Sequence, residues 1–464
     1  MANWTLNEIA AATNGQLIVG DDHLVVEGVS FDTRSLKQND LFIPLTAERN
    51  GHDFVGAAIE KGAVASFWSD KVESAPDNFP IIKVDDTEKA FQDLAQYHMN
   101  KVKPKVIGIT GSNGKTTTKD MVAAVASARY KTHKTVGNFN NHLGLPYTIL
   151  NMEEDTDVLV LEMGMSEQGE IQVLSELAHP SIAVITMIGE SHIEFLGSRD
   201  AISEAKLEIV KGMTDGTLIY PGEEPLLNDK VMNGYVDANV SKTLTFGKNK
   251  NMAIYPIEIE AKLKQTVFRC NKAPELICTL PVPGVYNVQN ALSAILVGEE
   301  IGISISEAYL QLENFELTKN RLEWIDGLNK TTLLNDAYNA SPSSMKAVLR
   351  YFQEIETPSR KIVVLGDVLE LGEYSKQMHE DLSEAIDLNK IDRLVLYGDE
   401  MEALYKKLAD LKTDTSLTHF TGDKQPLITH LKEILEPEDT VLMKSSLSTG
   451  MLEVVSALRE ERKD

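Results

Sequence analysis

The run Gly108-Ile109-Thr110-Gly111-Ser112-Asn113-Gly114-Lys115-Thr116-Thr117-Thr118 constrains this chain more than any other stretch. Residues 105–109 read as a short buried strand, and 117–128 carries Met121, Val122 and Val125 at helical spacing. A glycine-rich loop between strand and helix lets the backbone approach a polyphosphate. It also turns helix-terminal amides toward the phosphate oxygens and supplies a mobile positive charge, here Lys115. The nucleotide contacts expected from this loop are Thr110, Gly111, Ser112, Asn113, Gly114, Lys115, Thr116 and Thr117, with Thr116 also placed to hold Mg²⁺. Ile109 stands where the usual nucleotide loop has its first glycine, and no guanine-reading motif follows, so ATP is expected over GTP. A glycine-rich turn that merely ends in Lys-Thr is the alternative.

At 464 residues the chain exceeds what one hydrophobic core organises, so two or three domains are expected. Its net charge of -25 argues against nonspecific binding to nucleic acid or anionic membrane, both of which need excess Lys and Arg. Cys270 and Cys278 have no His or Cys neighbours at metal-ligand spacing and read as reduced packing residues. The start lacks a basic region followed by an apolar run, and no stretch is long enough to span a bilayer. A cytoplasmic monomer with no membrane span and no nucleic-acid partner is expected.

Alternating strand and helix signals define three parts. Residues 1–101 form a small α/β unit, and 102–319 a central domain whose mainly parallel sheet follows the phosphate loop. Residues 320–464, with strands near 331–335, 361–365, 394–397, 417–420 and 441–444, form a second doubly wound unit of Rossmann-like shape. That unit lacks G-x-G-x-x-G, so NAD binding is not expected. Glu162 ends the apolar strand 157–162, where a carboxylate beside a phosphate loop is placed to hold Mg²⁺. A solvated strand-end Glu is the lesser alternative. On the residues alone, His192 after strand 182–186 reads as structural, and Lys206 on helix 199–213 as solvated or in contact with phosphate.

The loop T-G-S-N-G-K-T-T-T resembles that of the Mur ligase superfamily, which adds amino acids or peptides to carboxylates in bacterial peptidoglycan synthesis. Further runs carry the resemblance through all three parts. Ser30-Phe31-Asp32-Thr33-Arg34 with Asp40-Leu41-Phe42 and Gly51-His52-Asp53-Phe54 is similar to the family's uridine-diphosphate segment. That implies Ser30, Thr33 and Arg34 as substrate contacts, although the residues alone favour a surface turn with an Asp32–Arg34 ion pair. Asn138, Asn140 and Asn141 match a segment lining the acceptor. The resemblance makes His192 a ligand of a second Mg²⁺, with Lys206 joining it if carbamylated. It sets Asn287 and Asn290 near adenine, Arg321 at the γ-phosphate and Asp336 on the ribose.

Asn335-Asp336-Ala337-Tyr338-Asn339-Ala340-Ser341-Pro342-Ser343-Ser344-Met345 and Gly366-Asp367-Val368-Leu369-Glu370-Leu371-Gly372 resemble signatures of the branch that adds D-alanyl-D-alanine. Asn339 and Ser341 are thereby expected to face the reacting groups. The implied partners are UDP-N-acetylmuramoyl-tripeptide and D-alanyl-D-alanine, with ATP and two Mg²⁺ ions. Lys115, Glu162, His192, Lys206 and Arg321 are the implied catalytic set. A sister ligase, folylpolyglutamate synthase or a non-catalytic nucleotide-binding regulator are the rivals.

Overall fold

A computed structural model describes residues 3–46, 48–357, 359–409, 411 and 415–460. Its architecture is a three-part α/β fold. The first part carries five strands in the spatial order Gln16–Val19, Ile81–Lys83, Ala65–Trp68, Asp40–Phe42, Gly28–Ser30. The Gln16–Val19 strand runs antiparallel to its neighbour and the rest are parallel. Val25–Val26 pairs with Trp4–Thr5, while Gly28–Ser30 joins the five-stranded sheet.

Six parallel strands build the central part, in the order Val240–Phe246, Gly216–Pro221, Ile182–Ile185, Lys105–Thr110, Val158–Glu162, Thr132–Lys134. The continuous apolar strands follow from burial on both faces. In Val158–Glu162, Val158 and Val160 pack with Val122, Val125 and Leu292, while Leu159 and Leu161 enter the core on the other face. After Lys105–Thr110 the chain winds first to one side of that strand and then to the other. The crevice at the strand's carboxyl end is therefore the topological switch point, where ligands of open α/β sheets bind. The phosphate loop, the turn after Glu162 and the loop 186–192 all leave the sheet there. A small antiparallel sheet, Pro256–Ala261, Thr266–Cys270 and Cys278–Leu280, stands beside it.

In the last part the strand order is Glu323–Asp326, Thr332–Asp336, Thr440–Lys444, Lys361–Gly366, Arg393–Tyr397, Ser416–Phe420, all parallel except the first pairing. No helix among the described residues is long and apolar enough to cross a membrane.

Candidate active site

The sequence itself explains the shape of the phosphate loop. Gly111 has φ +148° and Gly114 φ +82°, backbone that L side chains rarely adopt. A Cβ at Gly111 would run into the Thr186 hydroxyl, and one at Gly114 would lie 2.8 Å from Asn290 Oδ1. The loop is also bolted to its neighbour. Thr186 Oγ1 donates to Asn113 O (2.5 Å), Gly189 N to Ser112 Oγ (2.8 Å) and Ser191 Oγ to Ser112 O (3.3 Å). The helix Lys115–Ala126 then begins at Lys115, two residues before the expected start, because Gly114 in the left-handed region turns the chain directly into it.

A cavity of about 430 Å³ opens over this helix end. Of the expected nucleotide residues, Ser112, Asn113, Gly114, Lys115, Thr116 and Thr117 line it, with Asn287 and Asn290 on a second wall. Arg321, Asp336 and Asn339 reach it from the last part of the chain. Thr110 and Gly111 lie behind the cavity wall, both buried. Asn287, fully buried, donates to Pro283 O (2.6 Å) and accepts from Asn290 Nδ2 (3.1 Å), which fixes both amides.

Lys115 Nζ donates to Gly111 O (2.8 Å). Burial pushes its ammonium below the ordinary lysine range, with nearby Arg321 pushing the same way and Glu162 opposing. The Arg321 guanidinium lies 4.8 Å from the Tyr338 ring centre, a cation–π contact that aims it while its Nε stays buried without a partner.

Glu162 is 2% exposed. Its Oε1 accepts from Asn140 Nδ2 (2.9 Å), while its buried Oε2 has no partner. An unpaired carboxylate oxygen in a dry site is costly unless a cation or donor completes it. Among the described residues no three His, Cys, Asp or Glu side chains gather into a metal cage. Mg²⁺ binds through one or two carboxylates together with phosphate oxygens. The buried Thr116 and Glu162 fit such an ion.

His192 and Lys206 lie outside the main cavity. His192, at φ +63°, lines an adjoining cavity of about 150 Å³ with Asn339, Ser341 and Glu370, and its Nδ1 is 2.6 Å from Glu370 Oε2. Lys206 is 1% exposed, and its side chain makes no hydrogen bond or ion pair among the described residues. Desolvation, reinforced by Lys115, pushes its amine far below the usual lysine range. The helix expected over 199–213 stops at Leu207 and tightens to a 3₁₀ turn at Glu208–Val210. There the Glu208 carboxylate accepts from Gly169 N (2.8 Å) and Gln172 N (3.2 Å), capping the neighbouring helix Glu170–Ala178.

The two segments expected to meet the substrate lie beside each other and outside the cavity lining. Phe31, inside the turn that carries Ser30, Thr33 and Arg34, packs edge-on against Phe139 at 6.2 Å. That sets the turn beside Asn138, Asn140 and Asn141. Arg34 itself is exposed and holds Asp32 through Nε and Nη2 (2.9 and 2.7 Å), the surface ion pair that the residues alone suggested. Asn141 Oδ1 caps Leu143 N and Gly144 N, so its side chain is engaged in the turn. Ser341 is the N-cap of helix Pro342–Glu354.

Among the lining residues additional to those expected, Lys444 and Ser343 make contacts with expected ones. Lys444, 2% exposed, pairs with Asp336 Oδ2 (2.6 Å) and donates to Asn339 O (3.0 Å). Ser343 accepts from Asn113 Nδ2 at 3.1 Å. Lys444 ends a parallel strand at its carboxyl edge, and that position was the available signal.

Residues 109–298 match the family model "Mur ligase middle domain", and residues 320–447 match "Mur ligase, glutamate ligase domain". The UDP-N-acetylmuramoyl-tripeptide–D-alanyl-D-alanine ligase of Bacillus subtilis is 42% identical over 470 residues, covering 99% of each chain. The chain belongs to the Mur ligase family. It is an ATP-dependent, amide-bond-forming ligase. The Escherichia coli enzyme of the same name is 31% identical over 99% of both chains. A MurF crystal structure from Acinetobacter baumannii superposes at TM-score 0.86, with 27% identity, over 99% of this chain and 100% of that one. A MurF ligase from Thermotoga maritima, solved in complex with ADP, gives 0.78 with 26% identity over 93% and 97%. This Mur ligase therefore has their three-domain α/β architecture.

Proposed function

We propose that this Mur ligase joins D-alanyl-D-alanine to UDP-N-acetylmuramoyl-tripeptide, converting ATP to ADP and phosphate in peptidoglycan synthesis. The observation that carries the reading is the cavity shared between the phosphate loop and Arg321, Asp336 and Lys444 of the last domain. An enclosed site with basic groups on both sides suits transfer of a phosphoryl group to a carboxylate.

A carboxylate is a poor electrophile, so an oxygen of the tripeptide's terminal carboxylate attacks the γ-phosphorus and ADP leaves, giving an acyl phosphate. The dipeptide's neutral amine then attacks the acyl carbon, and inorganic phosphate leaves as the amide forms. Positioning and charge neutralisation dominate the first step. Lys115, Arg321 and the amides of the helix N-terminus offset the charge growing on the phosphoryl oxygens. Asn287 and Asn290 face the base, and the Asp336–Lys444 pair sets the ribose side. Thr116 and Glu162 would hold one Mg²⁺, and His192 a second, together with Lys206 once carbamylated. Bound Mg²⁺ neutralises phosphate charge and orients the triphosphate. Lys206 suits that modification, because burial disfavours its ammonium form and the neutral amine is the form nucleophilic toward carbon dioxide. Ser30, Thr33, Arg34 and the 138–141 loop receive the nucleotide-sugar end, with Asn140 linking that loop to Glu162.

Mass spectrometry of the product made from the UDP-linked tripeptide, D-alanyl-D-alanine and ATP tests this. The expected product is the UDP-linked pentapeptide with one phosphate released per bond. Turnover with free amino acids and none with the dipeptide would assign the chain to a sister ligase.

A further inference from the structure

We propose that Asn113 is a positioning residue that sets the last domain in register with the phosphate loop, rather than a nucleotide ligand. Its carboxamide joins two domains. Ser341 Oγ donates to Asn113 Oδ1 at 3.0 Å, and Asn113 Nδ2 donates to Ser343 Oγ at 3.1 Å. One primary amide offers one acceptor and one donor group, and two hydroxyls that both donate and accept match it.

Each side of this bridge is rigid. On the loop side, Thr186 holds the Asn113 carbonyl, and Gly189 and Ser191 hold Ser112. On the other, Ser341 caps the thirteen-residue helix Pro342–Glu354 with its hydroxyl on Ser344 N (3.2 Å) and Pro342 at the first turn. Two stiff elements joined by a bidentate side chain have one relative position, not a range. The consequence follows from what else the last domain carries. Arg321, Asp336 and Lys444 enter the cavity from that domain, and a misplacement near 1 Å costs on the order of a hundredfold in rate. The bridge therefore acts on the chemical step more than on nucleotide affinity. The inference rests on the reading that this loop holds ATP.

The test is a double-mutant cycle with Asn113→Ala, Ser343→Ala and the pair. It measures kcat, KM for ATP, and ADP affinity by titration calorimetry. Ser343 lies in the first helical turn, where alanine is well tolerated, so that variant keeps its fold. Ser343→Ala is expected to lose about fivefold to tenfold in kcat, as for one hydrogen bond, and Asn113→Ala more, since it loses both, with KM and ADP affinity within about twofold of wild type in each. The double variant should be no worse than the poorer single one. Multiplying effects in the double variant would overturn the proposal. So would a tenfold weaker affinity for ADP in Asn113→Ala at unchanged kcat, which would make the side chain a nucleotide ligand. Wild-type protein that fails to bind ADP would instead overturn the reading of the loop.

Discussion

Replacing Asp120 by Asn tests how the nucleotide helix is tied to the interdomain connector. Asp120 lies in helix Lys115–Ala126 with its side chain 1% exposed. It contacts Lys134 Nζ at 2.6 Å and Lys119 Nζ at 3.2 Å. Its Oδ2 accepts from Thr318 N (3.0 Å) and Thr318 Oγ1 (2.9 Å), and Thr318 lies in the segment joining the central sheet to the last one. An Asn keeps one acceptor for Thr318 and loses the charge. Lys134, partly exposed, re-solvates at small cost, whereas Lys119 at 1% exposure loses its ion-pair partner and keeps only the more distant Glu162 charge. Removing one partner of a buried pair costs roughly 3–5 kcal/mol, and the Lys134 discount puts the expectation near 3 kcal/mol. For a domain of about 200 residues that is a fall of about 6–12 °C in Tm. Burial by itself pushes the Asp120 carboxyl up, and the two lysines with the Thr318 amide more than offset it, so its pKa lies below the usual 3.8. A depressed carboxylate contributes stability above pH 3.8 that is lost as pH falls through the folded value. Thermal unfolding followed by circular dichroism from pH 3 to 7 should show a lower Tm at neutral pH for Asp120→Asn and a flatter acid limb. A neutral-pH change under about 2 °C, or an unchanged acid limb, would refute the argument.

Other substitutions probe the site more directly. Lys115→Ala should abolish turnover while leaving the circular dichroism spectrum unchanged, and retained product formation would remove the loop from the mechanism. Gly111→Ala forces a Cβ into the Thr186 hydroxyl at φ +148°, so KM for ATP should rise at least about tenfold; an unchanged KM would mean that the loop relaxes freely. Glu370→Gln, against His192 across the domain boundary, should lower kcat by about 10–100-fold, the range seen when a carboxylate orienting a histidine is lost. Wild-type kcat in that variant would leave the contact without a role.

What the sequence made legible was whatever is built within a short span. The phosphate loop needs a strand, two left-handed glycines and a helix start inside ten or so residues, and each of these has a local signature. The carboxylate ending Val158–Glu162 was legible for the same reason. Edge strands were not. Val240–Phe246 buries only Phe246, and Pro256–Ala261, although Ile257-Glu258-Ile259-Glu260 alternates, buries neither face fully, so a half-buried strand was not evident and the small antiparallel sheet went unforeseen. The Thr132–Lys134 strand is three residues long and half-buried throughout, too short for any periodicity.

The contacts that complete the site are the hardest to read, because their partners are far apart in the chain. Asn113 and Ser343 are separated by 230 residues, and Asp336 and Lys444 by 108. Nothing in either local sequence names its partner. The closing of these contacts is also what turns a nucleotide loop into a ligase site. The phosphate loop alone offers Lys115 and a helix terminus, which suffice to hold a triphosphate. Only with the last domain docked do Arg321 and the Asp336–Lys444 pair enclose the cavity. Glu370 meets His192 at 2.6 Å on the same side of the interface, and Tyr374 Oη donates to Gly197 O at 3.2 Å. Both loops hold non-glycine residues in the left-handed region, His192 at φ +63° and Glu370 at φ +63°. Such backbone costs of order 1–3 kcal/mol per residue and persists where surrounding contacts over-determine it. The contacts that hold these two residues facing each other across the domain boundary must therefore more than offset that cost in the docked arrangement. The acyl phosphate of the proposed mechanism would hydrolyse in open water, and that enclosure would protect it.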